Sequence, residues 1–370
     1  MGVERRNPLK PLALFAMPRY SRRGASSRLR IWQYFPYFDG RHWLVRAEPL
    51  IHEAVLNDRY SRGRYAWKAL ALAYWHRWLA LRKNRDCQIF WIEKEALPWL
   101  PLWLERWALR GVPYVLDYDD AVFHQYDQNP SFWVRSLLGR RIDGLMKGAA
   151  LVVAGNSYLA ARARLAGASR VEVLPTVIDL DRYPDPVAHN NCGGGRLPRI
   201  VWIGSPTTVV YLRHLAEPLR ELSLQIPFQL RVIGCANFEM AGVEVEALAW
   251  SEDTEAGHIS ACDIGIMPLP DTPWEQGKCG YKLIQYMACG LPVVASPVGA
   301  NLEIVRPGEN GYLAASDEAW ISALSALLHS AALRQSMGGC GRKVVESRYC
   351  LQKTGPALAS LLRSVVQEGR

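Results

Sequence analysis

The sequence lacks the features that would place it in a membrane, in a disulfide framework or among disordered chains. No apolar run approaches the roughly 18 residues a spanning helix requires. The longest stretches, Pro11 to Pro18 and Leu291 to Val298, are strand-sized and contain proline. No secretory leader is expected either. The apolar stretch after Arg5 and Arg6 is short, has no small-residue cleavage pattern and runs into Arg19, Arg22 and Arg23. Arg6 stands where a myristoylation signal needs Ser or Thr. The eight cysteines, Cys87, Cys192, Cys235, Cys262, Cys279, Cys289, Cys340 and Cys350, are scattered, with no C-x-x-C spacing and no neighbouring histidine pair. Neither zinc nor a disulfide framework is expected, and the cysteines read as reduced thiols of a cytosolic protein. Hydrophobic residues make up 49% of the chain and charged ones 21%, which excludes a disordered or collagen-like chain. No solenoid or propeller repeat is present. Neither half shows G-x-G-x-x-G after its first strand, which disfavours a Rossmann oxidoreductase.

What is present is alternation. Short apolar runs alternate with helix-length amphipathic segments, the pattern of a parallel sheet covered by helices. Strands are predicted at 12–17, 88–92, 114–116, 151–154 and 171–174. Helices are predicted at 66–83, 99–110, 131–147 and 157–165, the last opening on Asn156-Ser157, good N-cap chemistry. The alternation breaks at Tyr183-Pro-Asp-Pro186 and Asn190-Asn-Cys-Gly-Gly-Gly195, then restarts with strands at 200–203, 229–233, 243–246, 264–267 and 292–295. Helices are expected from about Thr208 and from about Lys278, and three more run to the C-terminus. At 370 residues, two domains of roughly 150 to 200 residues are expected. Residues 1–186 form the first, 187–195 a linker and 196–353 the second, with a final helix, about 354–370, packing back on the first. The fold class is α/β: two Rossmann-like doubly wound domains facing a cleft, with ligands beyond the carboxyl ends of the strands.

Charge is distributed unevenly. Up to Asp86 there are 18 Lys and Arg against 6 Asp and Glu, a balance of +12, and the remaining residues carry −3. Ten of the fourteen tryptophans fall before residue 134, so the basic region is also the aromatic one. Trp67, Leu70, Tyr74, Trp78 and Leu81 share one side of a predicted helix, and Trp99, Trp103 and Trp107 repeat at i, i+4, i+8. Core burial is the default for such stripes. Flanking Lys68, Arg77, Arg82 and Lys83 also fit a helix lying on a membrane, and an anionic membrane surface is the expected partner. Nucleic acid is not, because no recognition motif accompanies the charge.

Three segments carry chemistry. In Trp274 to Glu303, Gly277 and Gly280 permit close backbone approach where a helix begins, and the amides at such an end attract anions. Lys278 and Lys282, one turn apart, add positive charge. The alternative is a plain helix–strand unit with solvated lysines. In Ile200 to Thr208, a strand ends in Gly204 and is followed by Ser205, Thr207 and Thr208, whose amides and hydroxyls suit either a phosphate or simple helix capping. In Tyr114 to Phe123, Asp117, Asp119 and Asp120 cluster at a strand end. Like charges so close require a nearby cation or do proton work, with helix capping as the plain alternative.

The run Gln285-Tyr-Met-Ala-Cys-Gly-Leu-Pro-Val-Val-Ala295, the turn Gly299 to Glu303 and the continuation Glu309-Asn-Gly-Tyr-Leu313 resemble the nucleotide-sugar signature of the family 4 glycosyltransferases, retaining enzymes of GT-B fold. In that family two glutamates eight residues apart precede this run. Here Gln285 occupies the second position and Gly277 the first, with Glu275 nearby. A Lys-x-Gly-x-Lys-Leu-x-Gln-Tyr-Met-Ala form is similar to one subgroup. The resemblance implies donor binding by Gly204, Ser205, Thr207, Thr208, Gly234, Trp250, Gly277, Cys279, Gly280, Tyr281, Gln285, Gly299, Asn301 and Glu303. Within that set Gln285 would meet the ribose and Trp250 the base.

The resemblance also places Gly24, Arg28, Lys94 and Glu95 on the acceptor or phosphate side. Catalysis would rest on Asp119, Asp120, Lys278 and Lys282. No metal and no cofactor is implied beyond the nucleotide-diphosphate sugar donor, and the acceptor would be a glycan or lipid-linked. Such an enzyme would serve bacterial surface polysaccharide or glycolipid synthesis, in the cytoplasm or on the inner face of the plasma membrane. The rival reading is a non-catalytic binding or scaffold protein of the same fold that has lost the glutamate pair.

Overall fold

The computed structural model describes residues 11–62, 65–183 and 196–368. The expected linker, 187–195, with Cys192, lies outside the described residues, as do Arg5 and Arg6. The chain divides into two compact units, one of residues up to Pro175 together with those from Gly355 on, the other Thr176–Thr354.

The first unit is built on β1 (Leu12–Met17), β2 (Trp43–Ala47), β3 (Ile89–Glu93), β4 (Tyr114–Tyr118), β5 (Leu151–Ala154) and β6 (Val171–Val173). They form one sheet in the order β2-β1-β3-β4-β5-β6, with every pairing parallel. Every residue of β3, β4 and β5 is buried, as expected of strands covered by helices on both faces. β2 was not anticipated. It is an edge strand in which only Trp43 is fully buried, so it carries no apolar run and is defined by its pairing with β1.

Two predicted helices also differ. The segment at 131–147 splits into Phe132–Leu138 and Arg141–Gly148 around a turn at Gly139 and Arg140. The one at 99–110 shortens to Leu102–Leu109. Trp99 takes a left-handed φ of 61°, and Pro101, with no amide hydrogen, precedes the first turn.

The second unit holds β7 (Arg199–Ile203), β8 (Gln229–Ile233), β9 (Glu244–Leu248), β10 (Ile264–Met267), β11 (Val293–Ala295) and β12 (Gly311–Leu313), again all parallel, in the order β12-β11-β10-β7-β8-β9. Its core joins Trp202, Leu230, Val232, Ile266 and Val294 from the sheet to Leu219, Leu324, Leu327 and Met337 from the covering helices. Each such side chain contributes about 1.5–3 kcal/mol by leaving water. The segment Thr176–Tyr183, assigned above to the first domain, groups with this unit. Ile178 forms an isolated bridge with Cys350, and Tyr183 is buried.

The Tyr281–Ala288 helix begins three residues later than the sequence suggests. Gly277 closes the Pro273–Gln276 turn, and Gly280 takes φ 65°, which resets the chain direction. The helix stops at Gly290, φ 72°. Its far end is gripped by the Ala331–Arg348 helix. A Cβ at Gly338 would lie 1.8 Å from the Gly290 carbonyl oxygen, and one at Gly341 would lie 2.9 Å from Met287. Arg342 donates to the Ala288 carbonyl.

In both sheets the chain winds outward from a central strand and then returns to its other side. The reversal falls between β1 and β3 in the first unit and between β7 and β10 in the second, the points where open α/β sheets bind ligands.

The glycine contact predicts a paired result. Gly338→Ala should destabilise the second unit by about 1–3 kcal/mol through overpacking. Gly339→Ala, whose Cβ would meet nothing within 4 Å, should stabilise it by about 0.5–1 kcal/mol. Urea unfolding of both variants checks the contrast.

Candidate functional site

In the second unit, β10 and β7 pair only through Ile264–Ile200 and Gly265–Val201 before the ladder stops. The Ile203 amide, beyond that point, donates instead to the Tyr286 hydroxyl (3.0 Å). The tyrosine ring fits there because Gly265 has no Cβ; one would come within 2.3 Å of it. The Tyr281–Ala288 helix is thereby tied to β7, with its amino end, the positive end of its dipole, close to the carboxyl end of that strand.

Several candidates converge here. Gly204 and Gly234 follow β7 and β8, and a Cβ on Gly234 (φ 99°) would lie 1.9 Å from the Gly204 carbonyl oxygen and 3.7 Å from Trp250. Lys282 stretches back over the Trp202 ring, 4.4 Å from its centroid. Lys278 lies 5.7 Å from the Trp274 centroid. Burial, with the Lys278 charge adding to it, brings the Lys282 pKa down to about 7. An anion arriving at this point would meet two lysines and would favour the charged form of Lys282.

The Gly277–Gly280 loop and the Ser296–Glu303 turn pack together. A Cβ on Gly299 (φ 53°) would strike the Gln276 carbonyl at 2.5 Å, and one on Gly280 would meet Ile304 at 2.3 Å and Asn301 at 3.5 Å. Asn301 is buried and donates to the Ser296 carbonyl (3.0 Å). Cys279 is buried and Tyr281 half-buried, whereas Glu303 is exposed. Ser205, Thr207 and Thr208 bond locally. Thr208 Oγ1 accepts from the Ser205 amide (3.0 Å), and the Ser205 and Thr207 hydroxyls are 2.8 Å apart.

A second network contains residues the sequence did not single out. Gln285, buried, donates to the Tyr183 hydroxyl (2.9 Å), which lies 3.5 Å from Glu255. Glu255 also accepts from Trp250 Nε1 (2.7 Å) and faces Arg182 (3.8 Å). Trp250 is therefore a partly exposed ring fixed at its indole nitrogen rather than a core residue. Glu275 is a buried carboxylate held by the Tyr211 hydroxyl (2.5 Å) and by the Thr272 hydroxyl. Tyr183 opens the stretch where the alternation breaks, and nothing local marks Glu255, Tyr211 or Thr272. Only the strand order brings them to this edge.

In the first unit, the β1/β3 switch point carries a charged cluster. Glu93, buried at the end of β3, accepts from the Arg19 amide (2.8 Å), from Ser26 (2.7 Å) and from Ser27. Lys94 follows with a left-handed φ of 63°, a conformation that costs a non-glycine residue energy. Its ammonium donates to Ser26 (2.9 Å) and pairs with Asp119 (2.9 Å) and Asp120 (3.6 Å). This is the cation that the carboxylate cluster requires. Burial opposes the charge on Lys94, but Asp119 and Asp120 more than offset it and hold its pKa above the ordinary value. Burial likewise opposes the charge on Asp119, yet Lys94 and Ser26 keep it below the usual carboxylate range.

Asp117 has a different cation partner, Arg30. Burial raises its pKa to about 6 against the opposing effect of Arg30, whose Nε is 2.6 Å away. Glu95 is enclosed by Tyr126 (2.9 Å), Arg141 (3.1 Å) and Arg19 (3.6 Å), the surroundings of a structural carboxylate. Arg28 is buried, and Gly24 caps the Ala25–Arg30 helix. Among the described residues, no group of three or more His, Cys, Asp or Glu is arranged to hold a metal ion.

The two-unit architecture is the GT-B fold of glycosyltransferases. The chain is similar to sucrose-phosphate synthase from Thermosynechococcus elongatus (TM-score 0.72, 17% identity, 96% of this chain and 100% of that one). It is also similar to HepE of Anabaena, solved in complex with UDP and glucose (TM-score 0.69, 15% identity, 95% of this chain and 100% of that one). In sequence, residues 198–330, which span β7 to β12, match the family model described as Glycosyl transferases group 1. Spore coat protein SA of Bacillus subtilis (strain 168) is 32% identical over 78 residues, 20% of this chain and 21% of that protein. The match thus spans about a fifth of the relative's length.

The depressed Lys282 pKa gives a signed prediction. Above about pH 7 the ammonium loses its proton, so pyrophosphate affinity should fall relative to Lys282→Arg, which stays charged throughout. Calorimetry in buffers of different ionisation enthalpy should show proton uptake on binding near pH 8 for the wild type and less for Lys282→Arg. Equal uptake in both would remove Lys282 from the site.

Proposed function

We propose that this chain is a retaining glycosyltransferase that moves a sugar from a nucleotide-diphosphate donor to a glycan or lipid-linked acceptor, in the synthesis of a bacterial surface polysaccharide or glycolipid. The observation that carries the reading is the convergence at the β7/β10 switch of Lys278, Lys282, the Gly204 and Gly234 backbone and a helix amino end, within the stretch that matches the group 1 model. The lysines and the helix end stabilise the departing diphosphate, where negative charge accumulates as the anomeric C–O bond breaks. Gln285 and Tyr183 offer hydrogen bonds to the ribose, and Trp250 offers a face to the base. No metal or cofactor has a role in this scheme.

The first unit takes the acceptor. Asp119, kept ionised by Lys94, is suited to accept a hydrogen bond from the acceptor hydroxyl and orient it, and it is a weak base because its pKa is low. HepE's bound UDP and glucose make UDP-sugars the first donors to test. The enzyme would work in the cytoplasm or on the inner face of the plasma membrane. Gly277 and Gln285, standing in for the glutamate pair, favour one second reading, a protein that binds a nucleotide sugar without turning it over.

A thermal-shift panel of UDP-, GDP-, ADP- and dTDP-sugars, followed by assay of nucleoside diphosphate release, tests the reading. At least one donor should stabilise the chain and be turned over, and Lys278→Ala should weaken its binding about ten- to a hundredfold. Binding without turnover would favour the second reading, and no binding at all would overturn both. Asp119→Asn should lower kcat about a hundredfold while leaving donor affinity unchanged. A loss of donor affinity instead would move Asp119 out of the acceptor role.

A further inference from the structure

The Trp67–Lys83 helix is apolar on both sides. Its inner side follows the predicted stripe at Leu70, Tyr74 and Trp78, which are half-buried, and at Leu81, which is buried. Trp67 departs from it and is 74% exposed, and Arg77, expected to flank the stripe, is buried and donates to the Pro18 and Glu48 carbonyls. Its outer side carries Leu72, Trp75 and Leu79, which are 53%, 58% and 44% exposed, with Lys68 at one end and Arg82 and Lys83 at the other. The neighbouring Leu102–Leu109 helix presents Trp103 (70% exposed) and Trp107 (47%) beside Arg106 and Arg110. Trp78 stacks on Trp107, with centroids 5.0 Å apart, and joins the two helices.

Neither helix offers an acid to solvent. Trp67–Lys83 contains none, and the single carboxylate of the second helix, Glu105, is buried against Arg141. Beside Trp107 lies a depression of about 640 Å³, lined by Arg106, Arg110, Tyr114, Lys147 and Ser169 and by no acidic residue.

We infer that these two helix faces and the basic depression form a docking surface for an anionic lipid bilayer, with Leu72, Trp75, Leu79 and Trp103 entering the interfacial region and the depression receiving a lipid phosphate. Exposed Trp and Leu flanked by Arg and Lys gain on both counts at such a surface, from apolar burial and from attraction to anionic headgroups. Exposed Lys68, Arg82, Lys83, Arg106, Arg110 and Lys147 supply the complementary charge. They also argue against a second copy of this chain, whose matching face would be equally basic. In a parallel sheet the crossover helices run antiparallel to the strands. A bilayer touching the length of these helices therefore lies alongside the first sheet rather than across its carboxyl edge, where Lys94 and Asp119 stand.

Flotation of the full chain with vesicles of phosphatidylglycerol and phosphatidylcholine, compared with phosphatidylcholine alone, tests the assignment. Salt-sensitive co-flotation with the anionic vesicles and a blue shift of tryptophan emission are expected. Trp75→Ser with Trp103→Ser, and separately Arg82→Glu with Arg106→Glu and Arg110→Glu, should each weaken association about tenfold or more. All five positions are exposed, so thermal melting should stay unchanged. Lack of salt-sensitive association, or variants that float as well as the wild type, would overturn the inference. So would a wild-type dimer that Trp75→Ser with Trp103→Ser converts to monomer. Nucleotide-sugar binding by the same variants is a separate readout, so failure here leaves the enzymatic reading untouched, and the reverse also holds.

Discussion

Parallel strands cannot be joined by a tight turn, and a chain that winds outward from one strand must eventually come back to that strand's other side. Where it does so, neighbouring strands diverge and their last backbone groups lose a ladder partner. The second unit shows the consequence at Ile203, whose amide turns to the Tyr286 hydroxyl because β10 has ended its pairing with β7 two residues earlier. That hydrogen bond ties a helix to the crevice, and the helix brings Lys282 and Gln285 with it, Lys278 following in the loop that precedes it. The glycines at 204, 234, 265, 280 and 299 then follow from packing, because each marks a backbone approach that a Cβ would block.

The first unit meets the same constraint with charge. Its switch point holds Glu93, Lys94 and Asp119, groups that would be costly to bury singly and are retained because each is bonded to the next. The strained backbone at Lys94 is held in place by its amide, which donates to the Asp117 carbonyl (2.9 Å). Behind it a second buried set, Glu95, Glu105 and Arg141, fixes the chain leaving β3. Burial sets both networks apart from solvated acids, and neighbouring charge decides which member stays ionised. Asp119 is drawn down by Lys94, whereas Glu105 is raised to about 7 by burial despite Arg141.

Much of this was legible in the residues. Four strands, at 12–17, 151–154, 229–233 and 264–267, keep their expected bounds. Three of them are unbroken apolar runs, as a parallel strand buried on both faces requires, whereas 229–233 carries Gln229 and Arg231. The edge strand β2 and the helix break at Gly139 were not legible. One depends on a partner strand and the other on a single turn inside an otherwise helical pattern. The outer stripe of the Trp67–Lys83 helix was hidden for a related reason. A helix apolar all round reads as a core helix, and only its placement on the surface reveals Leu72, Trp75 and Leu79 as exposed.

The residue pattern alone specified the kind of elements, their alternation, the concentration of positive charge in the first quarter of the chain, and the glycine- and lysine-bearing segment at 277–282. It could do so because those properties are local, written in periodicity and residue chemistry. The tertiary structure alone decided the strand order, and therefore which loops share an edge. It paired Lys94 with Asp119 across 25 positions, Tyr183 with Gln285 across 102 and Tyr211 with Glu275 across 64. No local pattern encodes such pairings, because they follow from where the chain reverses its winding rather than from what each segment is.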